Sequence, residues 1–164
     1  MRNDAVRILG IDPGYDRLGI AILEKSADTP GKELLLYSEC FQTSSKDSIY
    51  DRLQRVGTEI ARIIDEFEPK ALAIENLFIT KNQKTAMRVA EARGIIMYEA
   101  IKRGLPVHEY TPMQIKVAIT GHGSSDKQMV TKMIGLLVES PKKKMLDDEY
   151  DAIAVALTHS AMRR

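Results

Sequence analysis

The hydrophobic period of this chain changes between residues 42 and 47, and that change limits the fold more than any other feature. Before it, residues 6–11, 18–24 and 33–42 are short apolar runs that read as strands. Asp12-Pro13-Gly14 breaks the first run, and a segment holding Asp28, Pro30 and Gly31 separates the second from the third. Links this short predict an antiparallel meander. After the change, Ile49, Leu53, Val56, Ile60, Ile63 and Phe67 recur every three or four residues, which predicts an amphipathic helix over 47–68 closed by Pro69. A short buried strand at 71–74 then ends at Glu75. A helix over 82–103 meets Gly104 and Pro106, and 107–110 forms another strand. Thr111 caps a helix that starts at Pro112. A glycine loop at 121–125 and helices near 126–138 and 148–162 complete the chain.

Strands that follow helices return by right-handed crossovers and lie parallel to the first. The expected fold is therefore α/β, a mixed five-stranded sheet of three antiparallel strands then two parallel ones, with helices on both faces. The 164 residues, 44% of them hydrophobic, read as a single domain over 1–164 with its own core. Cys40 is the one cysteine, so no intrachain disulfide framework exists. No apolar run approaches the ~20 residues of a membrane span, and the N-terminus lacks a signal-like stretch. These features predict a soluble, cytoplasmic protein without membrane partners.

Net charge is only +1, but its distribution is uneven. Residues 47–68 hold six acids and three bases, a net of −3, whereas 81–103 hold six bases and two acids, a net of +4. Lys81, Lys84 and Arg88 lie in that basic segment and are candidate nucleic-acid contacts. Two ordinary solvated helix faces would give the same pattern.

Open sheets carry functional groups beyond the carboxyl ends of their parallel strands. Asp12 and Glu75 stand at two such ends. Asp148 and Asp151, three apart on the last helix, share one helical face with Cβ atoms roughly 5–6 Å apart. Four carboxylates make an all-oxygen donor set, suited to Mg²⁺ or Mn²⁺ rather than zinc. Clustered acids raise one another's pKa until a cation neutralises them. Two ions about 3.5–4 Å apart would activate water and stabilise the leaving oxygen of a phosphodiester. Each acid alone also has an ordinary explanation as a turn, surface or helix-dipole residue.

Ile-Leu-Gly-Ile-Asp-Pro-Gly at 8–14 with Gly19, Ala-Ile-Glu-Asn-Leu-Phe at 73–78, and Asp-Glu-Tyr-Asp-Ala-Ile-Ala-Val-Ala at 148–156 together resemble the RuvC family of crossover-junction endonucleases. The resemblance spans nearly the whole chain. It implies an RNase H-like fold and makes Asp12, Glu75, Asp148 and Asp151 the catalytic metal-binding acids. It also implies Lys116 and Lys127 as active-site lysines, and Phe78 as a residue near the cleft that stacks on a junction base. It implies a homodimer acting on four-way junction DNA beside the RuvA–RuvB branch-migration machinery. The helix at 82–103 is the expected interface, through Ala86, Val89, Ala90, Ala92, Gly94, Ile95 and Ile96. The pattern departs from the family's where Glu149 and Tyr150, not small residues, separate the last two acids. Asp147 leaves the third ligand open between itself and Asp148, with the three-residue spacing to Asp151 favouring Asp148. Tyr15 to Gly19 is also similar to the YqgF family. An RNA nuclease of that kind and a non-catalytic junction-binding module are the alternatives. His159 reads as structural.

Overall fold

The computed structural model describes residues 6–25, 31–77, 82–141 and 144–163. β1 (Val6–Asp12), β2 (Arg17–Lys25) and β3 (Glu33–Gln42) form the expected antiparallel meander. α1 (Ile49–Phe67) begins at Ser48, whose side chain accepts from the Asp51 amide, and ends at Glu68, which takes a left-handed conformation before Pro69. β4 (Ala71–Glu75) pairs parallel with β1, and α2 (Gln83–Lys102) leads to β5 (Val107–Tyr110), parallel with β4. α3 (Pro112–Thr120) opens with a capping box between Thr111 and Gln114. α4 (Lys127–Leu137) and α5 (Asp147–Met162) follow, with a two-residue strand, β6 (Val138–Glu139), between them.

β6 corrects the expected strand count. It pairs parallel with β3 and gives a six-stranded sheet in the order β5-β4-β1-β2-β3-β6. The helix expected over 126–138 therefore ends one residue earlier, at Leu137. Among the described strands, β2 alone runs against the others.

Strand alternation sorts the core into two layers. Leu9, Ile11, Ile20, Ile22, Leu72 and Ile74 face α1 and α2. Ile8, Ala21, Leu23 and Ala73 face α5, with α3 and α4 packed outside it. α5 is enclosed on all sides, and every residue from Ala152 to Ser160 is buried. Gly10 lets it lie close to the sheet: a Cβ there would sit 2.3 Å from the Ala152 carbonyl oxygen.

α2 buries two of the seven residues expected at an interface, Ala92 and Ile96. Ala92, Ile96 and Ala100 are buried in the chain's own core. Its outer side carries Ala90 and Gly94 of the expected set, together with Met87, Tyr98 and Ile101. Among the described residues, no helix is long and apolar enough to cross a membrane.

Candidate active site

Period two carries Asp12 onto the α5 face of β1, in step with Ile8 and Gly10, and carries Glu75 onto the same face of β4, in step with Ala73. The β1–β4 register pairs Gly10 with Ala73 and Ile11 with Ile74, so the two acids end neighbouring strands side by side. Their carboxyls share a hydrogen bond. The first turn of α5 descends on the pair. A Cβ on Gly19 would come within 2.1 Å of the Asp148 carbonyl oxygen and 3.1 Å of the Asp12 Cβ, so glycine is what admits this turn.

Burial pushes Asp12 up to about 8, with repulsion from Glu75 and then Asp151 adding to it. Burial also raises Glu75. Asp151 rises through burial although Lys127 opposes the shift. Two basic side chains reach the acids. Lys127 Nζ donates to Asp151 Oδ2 at 3.1 Å and lies 3.6 Å from Asp147 Oδ2. Burial is the largest influence and would lower this lysine, but the hydrogen bonds and charges of Asp151 and Asp147 together outweigh it and leave it raised. Arg17 donates to Asp148 Oδ2 through Nε at 3.0 Å and Nη2 at 2.5 Å. Among the described residues, no group of three or more His, Cys, Asp or Glu side chains is gathered as a metal cage.

Glu149 and Tyr150, the intruders in the last motif, both turn away from the acids. Glu149 is buried, accepts from Ser38 Oγ at 2.7 Å and from the Leu146 amide at 2.8 Å, and so caps its own helix. Tyr150 packs against the α5-side core. Asp147 is exposed and faces Lys127, whereas Asp148 lies against Gly19 and adds to the repulsion on Asp12.

A cleft of about 300 Å³ opens beside the acids. Glu75, Asp151, Lys116 and Lys127 line it, with Ile115 and Val130 forming an apolar wall. The sequence-predicted lysines thus meet two of the predicted acids. Lys84 and Arg88 stand apart, on the first turns of α2. Arg93, ten residues into that helix, donates to the Glu75 carbonyl oxygen at 3.3 Å. The start of α2 therefore projects about 15 Å beyond that contact. Arg88 is paired with Glu91 at 2.9 Å. Phe78 and Lys81 lie outside the described residues.

Sequence reasoning missed three arginines. Arg17 holds Asp148. Arg93 holds the end of β4 through the Glu75 carbonyl and Asn76. Arg52, 7% exposed, braces the turn after Asp12: it donates to Thr43 Oγ1 at 2.9 Å and to Asp16, and stacks 4.3 Å from the centre of the Tyr15 ring. An arginine buried on the inner face of α1 was detectable only as a charge on the helix stripe.

A family model described as crossover junction endodeoxyribonuclease RuvC matches residues 8–159. The chain belongs to this family. The RuvC protein of Thermosipho melanesiensis is 45% identical over 152 residues, covering 92% of this chain and 94% of that protein. That of Finegoldia magna is 42% identical over 154 residues, covering 94% and 92%. The structure of T. thermophilus RuvC in complex with Holliday junction substrate superposes with a TM-score of 0.89 at 31% identity, covering 97% of this chain and 95% of that one. A yeast mitochondrial Holliday junction resolvase shares the fold at 14% identity, with a TM-score of 0.68 and coverage of 95% and 79%. Nucleases of the RuvC family are metal-dependent.

Proposed function

We propose that this chain is a structure-selective endonuclease that resolves four-way DNA junctions during recombination and repair by paired, metal-dependent phosphodiester hydrolysis. The observation that carries the reading is the meeting of Asp12, Glu75 and the first turn of α5 at one sheet end, in a chain whose relatives are crossover junction endonucleases. The donor set fits a hard divalent cation. Its groups are carboxylates; burial, then repulsion from Glu75 and Asp151, holds Asp12 against ionisation until positive charge arrives, and burial raises Glu75 as well. Asp12, Glu75, Asp148 and Asp151 would hold Mg²⁺, with Mn²⁺ as a substitute and two ions per site. Such ions supply an activated water and stabilise the leaving oxygen.

The chain's own side chains do the rest. Lys127 and Lys116 present ammonium groups on the cleft wall, where they offset charge developing on the scissile phosphate. Lys84 and Arg88 on the projecting end of α2, with Phe78 and Lys81 before it, would hold the flanking strands, the bases through Phe78. Hydrolysis leaves a 5′-phosphate and a 3′-hydroxyl. We read 1–164 as one nuclease domain acting in the cytoplasm.

A four-way junction has pseudo-twofold symmetry, and two symmetric nicks need two sites related by a twofold axis. We assign the dimer contact to the outer α2 stripe of Met87, Ala90, Gly94, Tyr98 and Ile101. The RuvA–RuvB branch-migration complex is the assigned partner, testable by co-purification on junction DNA. Light scattering that shows monomer alone, with and without junction, would remove the paired-nick model. The deciding experiment is cleavage of a labelled four-way junction with Mg²⁺, comparing wild type, Asp12→Asn and matched linear duplex. Symmetric nicks confined to the junction, lost in the variant with binding kept, are expected. Tight binding without cleavage would leave a junction-binding module. Cleavage of structured RNA alone would leave a YqgF-like nuclease.

A further inference from the structure

Arg17 opens β2 on the same face as Gly19, Ala21 and Leu23, directed at the start of α5. Both of its contacts to Asp148 fall on one oxygen, Oδ2, and the Cys40 thiol on β3 lies 3.6 Å from that same oxygen. A charge-assisted pair of this kind is stronger than a neutral hydrogen bond and partly neutralises the carboxylate. The two partners differ in exposure. The Arg17 side chain is 51% exposed, and that of Asp148 is 21%. Arg52 is different: its side chain is 8% exposed and fixed by several partners, as a structural brace would be. Arg17 can swing to solvent at little cost, whereas Asp148 is fixed by the backbone that Gly19 receives.

We propose that Arg17 is a positioning residue that withholds Asp148, competing with a divalent cation for its carboxylate and so setting the metal affinity of the free protein. The proposal rests on the reading of Asp148 as a ligand. A cation and a guanidinium repel each other across a shared carboxylate, so uptake at Asp148 requires Arg17 to yield. The released guanidinium is a planar fork at the mouth of the site, matched to a phosphate. A substrate backbone that engages Arg17 thereby frees Asp148, and the coupling is reciprocal: metal uptake frees Arg17 for the phosphate. The acid cluster would then fill most readily when nucleic acid is present.

The test measures Mn²⁺ affinity of the intact protein without DNA, by electron paramagnetic resonance of free Mn²⁺. Arg17→Gln, Arg17→Lys, Asp148→Asn and the Arg17→Gln/Asp148→Asn pair are compared after thermal melts establish folding. Arg17→Gln should bind Mn²⁺ about fivefold more tightly, equivalent to roughly 1 kcal/mol. Arg17→Lys keeps the charge and should show less than half that gain. Asp148→Asn should bind more weakly, and in its background the gain from Arg17→Gln should fall below about twofold. A merely structural role for Arg17 would weaken binding in both Arg17 variants. Unchanged or weaker affinity in Arg17→Gln, with Asp148→Asn still weakened, overturns the proposal and leaves the metal site standing. A full gain that persists without Asp148 overturns it as well. Wild-type affinity in Asp148→Asn overturns Asp148 as a ligand, and the proposal with it.

Discussion

Replacing Asp12 with asparagine should stabilise the metal-free protein while abolishing cleavage. The folded state holds Asp12 at about 8, against an ordinary value of 3.8, chiefly by burial and then by the charge on Glu75. An unfolded chain releases this proton from about pH 4 upward, and the folded chain keeps it until about pH 8. The unfolded state thus binds fewer protons across that window, so stability falls as pH rises through it. At pH 7 the penalty is on the order of 4 kcal/mol, at 1.4 kcal/mol for each pH step. Because Asp12 and Glu75 share one hydrogen bond, about half of that is expected to be recovered. Asparagine offers a permanent N–H where the protonated carboxyl offers an O–H to Glu75.

A gain of roughly 2 kcal/mol in a chain of 164 residues raises Tm by about 6 °C. The assay is thermal unfolding by circular dichroism at pH 7 in chelator, repeated at pH 4 and in saturating Mg²⁺. The variant should melt higher at pH 7 in chelator. The gap should close at pH 4, where wild type no longer bears the penalty. In Mg²⁺ the wild type should gain more than the variant, by up to about 2.7 kcal/mol at a hundredfold excess over Kd. A variant that melts at or below wild type at pH 7 in chelator would refute the electrostatic argument, as would a gap that ignores pH.

The same geometry bears on other residues of the site and the core. Lys127→Ala should lower junction cleavage by about 10²–10³-fold in single-turnover assays, with junction affinity little changed. Gly19→Ala places a methyl group 2.1 Å from the Asp148 carbonyl oxygen and should cost about 2–3 kcal/mol in urea unfolding along with most Mn²⁺ affinity. Gly135→Ala, with open space around it, should leave both intact. His159 is pushed down to about 4 by burial first, then by His108 and Arg163. Its neutral form contributes fully above pH 6.5, and the contribution is lost as pH falls from 6.5 toward 4. Urea melts should show wild type losing roughly 2 kcal/mol between pH 7 and pH 5 from this residue, a loss that His159→Gln abolishes.

The acids were legible because strand parity is local. Once β1 and β4 are read as parallel neighbours, Asp12 follows Gly10 and Glu75 follows Ala73 onto one face, with no tertiary detail required. Asp148 and Asp151 were legible by the same logic at helical period. Arg17 was not, because its meaning lies in Asp148, 131 residues away, and an exposed arginine opening a strand carries no local signal. β6 escaped for a similar reason. Two residues have no period, and Val138 and Glu139 become a strand only by lying beside Glu33 and Leu34. Ala92 and Ile96 were expected at an α2 interface but are buried within the chain, because an apolar helix shows which residues are buried, not which neighbour buries them. α1 had already claimed the side that holds Ala92 and Ile96.

Side-chain size across the sheet explains why the acids meet at all. On the α1–α2 face the central strands carry Leu9, Ile11, Ile20, Ile22, Leu72 and Ile74, which hold those helices at ordinary side-chain distance. On the opposite face the matching positions are Gly10, Gly19, Ala21 and Ala73. Ile8 and Leu23 lie further along the strands, and around Gly10 and Gly19 there is little side chain to stand off a helix, so α5 settles there with its backbone against the strands. The contact lowers Asp148 and Asp151 to the level of Asp12 and Glu75, which a leucine-lined face would prevent. Close packing and clustered charge therefore have one cause, and the energy that seats α5 on the sheet opposes the repulsion among the acids it delivers.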